Sequence, residues 1–295
     1  MQINHHNRRS PARGFNHRSS EGAPAPILLS SPHSGQFYPA EMLAQIRLGP
    51  GELRQLDDGP VDELIDDARH FGADVVSAIY PRAVIDLNRR HDELDPLVLA
   101  DHRHAGSGQQ FLTSVKAKVG LGVVPTKVMG QAIYRQPISL ADVHDRVEFA
   151  YWPYYRFLRA LIDERLTMFP HVLVLDCHSM PQSVAMVGRE PVDVALGDRF
   201  GTTCQPELVA LTQRYFRDCG LKAARNKPFA GGHITEHFGQ LPHVSCIQIE
   251  LRRDLFFDEA TYIAHHGMSR MQSMMTGLVR QLGQAMGQDA ISTAA

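Results

Sequence analysis

Apolar residues along this chain fall into two kinds of run. Short, nearly continuous runs of strand-forming residues occur in APILLSSPHSG (Ile27 to Leu29), in HVLVLDCHS (Val172 to Leu175) and in HVSCIQIELRRDLF (from Val244). The second has no polar alternation before Asp176, as expected of a central strand covered on both faces. A further stretch, ADVVSAIYPRAVIDLN, predicts two strands around Pro81. Helical spacing appears at Val61, Leu64, Ile65 and Ala68 in GPVDELIDDARHFGA, which stops at Gly72. The same spacing marks PELVALTQRYFRDCG, ending at Gly220, and a closing helix in ATYIAHHGMSRMQSMMTGLVRQLGQAM. The longest helical pattern, DVHDRVEFAYWPYYRFLRALIDERLTMF, contains Pro153, which must start or kink a helix because it lacks an N–H. HAGSGQQ reads as loop.

Strands that alternate with helices predict an α/β fold, a three-layer sandwich around a mixed, largely parallel central sheet. No repeat and no linker break the pattern, so one domain is expected over residues 23–290. Residues 1–22, basic and polar, are expected to form a disordered arm. In open α/β sheets ligands bind beyond the carboxyl ends of the strands, which directs attention to the strand tips.

Composition changes this picture little. The 295 residues are 43% hydrophobic and 21% charged, ordinary for a globular protein, and the formal net charge of −2 gives no electrostatic reason to expect nucleic acid or an anionic membrane as partner. No apolar stretch reaches bilayer-spanning length, and the opening MQINHHNRRSPARGFNHRSSEG lacks the apolar core of a secretory signal. The four scattered cysteines, Cys177, Cys204, Cys219 and Cys246, include no CxxC pair and suggest reduced thiols. A cytoplasmic location is therefore expected. Of the sixteen histidines, several lie in the N-terminal arm and carry no signal.

Reactive side chains gather at three predicted strand ends. SPHSG supplies His33, DCHSM supplies His178, IQIELRR supplies Glu250, and PRAVIDLNRR adds Arg82, Asn88 and Arg89. If these strands are neighbours, two imidazoles and a carboxylate could hold Zn²⁺ with a position left for water, whose proton a free carboxylate could take. Arginines would serve an oxyanion and an anionic substrate. Taken singly, each residue has a plainer reading. His33 before Ser-Gly is a turn residue, DLNR a surface turn with an ion pair, and Glu250 by alternation alone an ordinary solvent-facing position. Cys177 falls on the opposite face from Asp176 and His178 and reads as packing.

The motifs SPHSGQFYP, DDGPVDEL, PRAVIDLNRR, GLGVVPTKV, IYRQPIS, LDCHSMP and IQIELRRDLF, in that order between Ser30 and Phe257, resemble those of the N-formylglutamate amidohydrolase family. The resemblance implies a zinc-carboxypeptidase-like and aspartoacylase-like fold, and zinc-dependent hydrolysis of an N-acyl amide on an acidic amino acid, a step of histidine degradation. By it His33 and His178 are metal ligands, Glu250 the general base and Arg82 the residue that polarises the carbonyl. Asn88 and Arg89 grip the substrate carboxylate, with Arg252 and Lys127 as further substrate-binding candidates. The superfamily's acidic ligand lies three residues beyond the first histidine, where this chain has Gln36. Asp58 is the expected substitute, at the start of the following helix, with Asp62 as alternative or as a support for a histidine. Either aspartate also reads as simple charge complementing a helix N-terminus. In GGHITEHFG, His233 and Glu236 stand where the family often has tyrosine and arginine, which loosens the link to N-formylglutamate itself. A carboxypeptidase-like or aspartoacylase-like hydrolase and a non-catalytic binding protein remain the other readings, and divalent ions besides zinc accept the same ligands. Oligomeric state is left open.

Overall fold

The computed structural model describes residues 13–100 and 110–292. Seven strands form one sheet: β1 (Phe15–Arg18), β2 (Ile27–Ser31), β3 (Asp74–Ala78), β4 (Val172–Met180), β5 (Val194–Gly197), β6 (Ala223–Arg225) and β7 (Val244–Arg252), in the order β1-β3-β2-β4-β7-β5-β6. Four of the six neighbouring pairs are parallel; β1 against β3 and β5 against β7 run antiparallel. The sheet is thus mixed and largely parallel, as expected. Strand order reverses between β2 and β4, because β3 lies on one side of β2 and β4 on the other. The crevice created there opens at the strand tips.

Alternation along β4 and β7 divides the core in two. Val172, Val174, Val244 and Cys246 face one layer with α2 (Leu140–Arg146) and α3 (Trp152–Leu166), whose Val143, Tyr154 and Leu158 pack against them. Leu173, Leu175, Cys177, Ile247 and Ile249 face the other layer, where α1 (Val61–Leu64), α4 (Pro206–Asp218) and α5 (Gly267–Ser292) bring Leu64, Phe216 and Met275. All nine residues of β4 are buried. Cys177 is therefore packing, and burial raises its thiol pKa well above the ordinary value.

Several sequence expectations change in the structure. The arm does not extend to residue 22: Phe15–Arg18 pairs with β3, and His17 and Arg165 both hold the buried Asp74 carboxylate. Residues 1–12, the rest of that arm, lie outside the described residues, as does residues 104–109 of the HAGSGQQ loop. Only one strand flanks Pro81. Val84 and Ile85 fold their N–H groups back onto the Pro81 carbonyl, and Asp86 N–H bonds Val123 O at 2.7 Å, so the second apolar run is a buried loop. The long helical pattern is interrupted by a π-turn over Val147–Tyr151, which places Pro153 in the first turn of α3, where its missing N–H costs nothing. The closing helix starts at Gly267 because the Asp258 carboxylate accepts the Ala260 and Thr261 N–H groups and turns the chain into a short hairpin. None of the described helices is long and apolar enough to cross a membrane.

Candidate metal and catalytic site

Register explains why β4 and β7 deliver chemistry together. Asp176 lies opposite Gln248, and His178 opposite Glu250, so four polar side chains form a patch on one face at the C-terminal ends of neighbouring parallel strands. β2, on the other side of β4, ends at Ser31, and the chain turns there to present His33. The loop before α1 returns over this turn, tied by Asp58 N–H to His33 O at 3.2 Å, and its fold is fixed by Ser179 Oγ donating to Asp58 O at 2.6 Å.

These connections bring His33, Asp58 and His178 together in the buried interior. Nδ1 of His33 and Nδ1 of His178 lie 3.1 Å apart, and Asp58 Oδ2 is 3.2 Å from the first and 2.7 Å from the second. Each histidine turns its other nitrogen to a different buried carboxylate: His33 Nε2 to Asp86 Oδ1 at 2.8 Å, His178 Nε2 to Asp176 Oδ2 at 3.1 Å. A carboxylate on Nε2 fixes the tautomer that leaves Nδ1 as an electron-pair donor, the usual arrangement around metal-bound histidine. Four-coordinate zinc places neighbouring ligand atoms roughly 3.3 Å apart. The triangle formed by these three atoms is near that size, so the donor set fits a divalent ion.

Electrostatics agree with the geometry. Burial works to raise the Asp58 pKa, but Arg82, then His33 and His178, hold it well below the carboxylate range. Its neighbour Asp57 goes the other way: burial pushes it well above that range, with Arg82 only partly opposing. The two adjacent aspartates are thus distinguished by surroundings, and the one at the histidines is the ionised one. Asp86 is likewise held low against burial, by Arg89 and His33. Glu250, almost fully buried, is raised to about 7 by burial, with His178 pulling it down and Asp58 pushing it up. Its solvent-facing reading is replaced by a wall position, with Oε1 accepting from Gln248 Nε2 at 2.8 Å.

A cavity of about 220 Å³ opens over this cluster and includes His33, Arg82, Arg89, Lys116, His178 and Glu250 in its wall. Arg82 contacts His33 Nδ1 and donates to Asp58 Oδ1 at 3.1 Å. Arg89 donates from Nε to Leu121 O at 3.1 Å and lies 3.8 Å from Asp86. Two tyrosines of the π-turn and α3 hold this loop, Tyr151 Oη on Arg89 O at 3.0 Å and Tyr155 Oη on Leu87 O at 2.8 Å. Asn88 lines the same wall with its amide committed: Oδ1 accepts Ile234 N–H at 2.9 Å, and Nδ2 approaches His178 Nε2, Gln248 Oε1 and Asp176 Oδ2. Gly232 must be glycine here, since a Cβ would stand 2.4 Å from that amide.

Other sequence candidates lie elsewhere. Asp62 is turned to Arg18 on the far side of α1, 3.5 Å from its guanidinium, because its position on the helix faces away from the strand tips. Lys127 is exposed on a two-residue hairpin and does not line the cavity. Arg252, where β7 ends, pairs with Asp193 at 2.8 Å and Asp254 at 2.6 Å. The next residue, Arg253, turns inward instead and bonds Asp57 O at 2.6 Å and Ser179 Oγ at 3.1 Å. Gln36 is exposed, so it takes no ligand role in this geometry. Asp86, Gln248, Lys116 and Arg253 were not anticipated. Only Gln248 carried a usable signal, two residues before Glu250 on the same strand face.

The sequence model of the N-formylglutamate amidohydrolase family matches residues 25–257. The N-formylglutamate deformylase of Pseudomonas putida is 30% identical over 244 residues, covering 79% of this chain and 82% of that protein. The protein of the same name from Pseudomonas aeruginosa is 30% identical over 251 residues, covering 81% and 85%. A crystal structure of N-formylglutamate amidohydrolase from Ralstonia eutropha JMP134 superposes with a TM-score of 0.87 at 30% identity, over 94% of this chain and 99% of that one.

Proposed function

This chain belongs to the N-formylglutamate amidohydrolase family and is a hydrolase acting on an amide bond, and from that premise we propose that it hydrolyses N-formyl-L-glutamate to glutamate and formate, or a close N-acyl acidic amino acid to the free amino acid and the matching carboxylate. The observation that carries this reading is the convergence of His33, Asp58 and His178 near Glu250, beneath a cavity whose wall also holds guanidinium groups. A divalent ion on those three residues, with zinc our choice for a two-imidazole, one-carboxylate set, would supply Lewis acidity and an acidified water.

The chain's own groups divide the remaining work. Glu250 takes a proton from the attacking water and returns it to the departing amine nitrogen, for which a pKa near neutrality is suited. Arg82 donates to the carbonyl oxygen as negative charge develops there. Arg89 receives the α-carboxylate through its planar fork. Asn88, with both ends of its amide engaged, positions His178 and the Gly232 turn rather than reaching for substrate. Asp86 and Asp176 keep the histidines oriented.

The test is release of formate and free amino acid over a panel of N-formyl, N-acetyl and peptidyl amino acids. N-formyl acidic amino acids are expected to turn over fastest. Fastest release from an N-acetyl or peptidyl compound would replace this reading with an aspartoacylase-like or carboxypeptidase-like one, and bound zinc without turnover would favour a binding protein. The pH dependence follows from Glu250. The base must be ionised, so kcat/KM is expected to fall as pH drops through its pKa, leaving about a tenth of the base form one unit below. Its limb should lie at pH 7 or somewhat lower with a cation bound. A profile flat down to pH 5 would remove Glu250 from the base role.

A further inference from the structure

Three cationic side chains face the cavity, and they are not equivalent. Arg82 is engaged with Asp58 and approaches Asp86, and Arg89 also lies against Asp86. Lys116 has no carboxylate within ion-pair distance among the described residues. Glu236 is outside the cavity wall and bonded to Arg199 at 2.7 Å. That position therefore brings no cation to the cavity, while the wall carries the Lys116 ammonium with no carboxylate partner among the described residues.

The local structure holds the Lys116 backbone in place, and its exposed side chain lies at the cavity wall. Ser114 caps the short helix Val115–Lys118, its Oγ accepting Ala117 N–H at 3.1 Å, and Ser114 Oγ in turn donates to Glu93 Oε1 at 2.5 Å. Lys116 O accepts Leu121 N–H at 2.8 Å, and Leu121 O accepts the Arg89 side chain at 3.1 Å. The lysine and the arginine are thus stitched to one loop, side by side over the cavity. Burial and then the Arg89 guanidinium lower the Lys116 pKa, with Asp86 opposing. Loss of water around the ammonium comes first and the neighbouring guanidinium second, and an arriving carboxylate offsets both.

We infer that Lys116 is a specificity-determining residue, its ammonium receiving the side-chain carboxylate of an N-acyl dicarboxylic amino acid whose α-carboxylate lies on Arg89. The inference rests on the N-acyl acidic substrate proposed above. It gives the substrate's second carboxylate a partner on a different element from Arg89.

The experiment compares wild type with Lys116→Met and Lys116→Arg on N-formyl-L-glutamate and its neutral isostere N-formyl-L-glutamine. Lys116→Met is expected to lose about 10- to 100-fold in kcat/KM on the glutamate compound, chiefly through KM, as loss of a charged hydrogen bond does. On the glutamine compound the change should stay within about threefold, and Lys116→Arg should restore part of the glutamate preference. Equal losses on both compounds, or none on either, would overturn the inference. Calorimetric binding of glutarate against butyrate reads the same discrimination without turnover. If wild type hydrolyses neither compound yet prefers glutarate in a Lys116-dependent way, the lysine assignment stands and the N-formyl substrate reading fails. If glutarate binding ignores Lys116, the assignment fails whatever the turnover.

Discussion

Replacing Glu250 with glutamine is expected to lower kcat by about 10³-fold, near the middle of the range for loss of a general acid–base group. The substitution keeps shape and one carbonyl oxygen, so the bond from Gln248 Nε2, at 2.8 Å in this structure, survives. It also removes a buried carboxyl that burial disfavours as an anion, so folding should not suffer. His33, Asp58 and His178 are untouched, and metal content should equal that of wild type. KM should change little, since Glu250 acts on the water and the leaving nitrogen rather than on the substrate's charges. The measurement is kcat and KM beside metal stoichiometry and Tm. Retained turnover would take the base role away from Glu250. A loss accompanied by missing metal would make the residue a support of the ligands instead.

How far this site could be read from sequence depends on which link each residue lives on. His178 was legible because an apolar run long enough to be a buried strand ends in polar residues, and β4 is such a strand. His33 was legible for the same reason at the end of β2. The pairing that puts Glu250 beside His178 was not, since it joins segments 72 residues apart and no local pattern states which strands are neighbours. Asp86 was hidden by its surroundings: Val84 and Ile85 beside it look like strand, yet they fill the core from a loop. Arg252 and Arg253 show the same limit at one residue's resolution. Alternation along β7 carries as far as Arg252, then a 3₁₀ turn over Arg253–Leu255 breaks the period and sends Arg253 inward. Lys116 lies on a four-residue helix whose position depends on bonds to Glu93 and Leu121, neither of them periodic.

His178→Ala should abolish stoichiometric metal binding, and with it turnover, because it deletes one of three converging ligand atoms. The effect has a second part. Asp58 Oδ2 and Asp176 Oδ2 both lean on this imidazole, and two buried carboxylates would be left short of a donor, so a fall in Tm is expected as well. Loss of metal could then be a consequence of disorder. Asp176→Asn separates the two: it keeps the His178 Nδ1 atom and the packing but weakens the carboxylate behind Nε2. Removing such a support costs about 10- to 100-fold in metal affinity, so Asp176→Asn should bind zinc measurably but more weakly than wild type. Metal binding should also strengthen with rising pH. Burial works to lower the His178 pKa, but Asp176 and Asp58 raise it well above the ordinary value, so an incoming cation must displace a proton from the imidazole. Chelator competition against pH, run on wild type, His178→Ala and Asp176→Asn, reads all three effects. One metal ion per chain at wild-type affinity in His178→Ala would exclude this histidine as a ligand, whatever its effect on Tm.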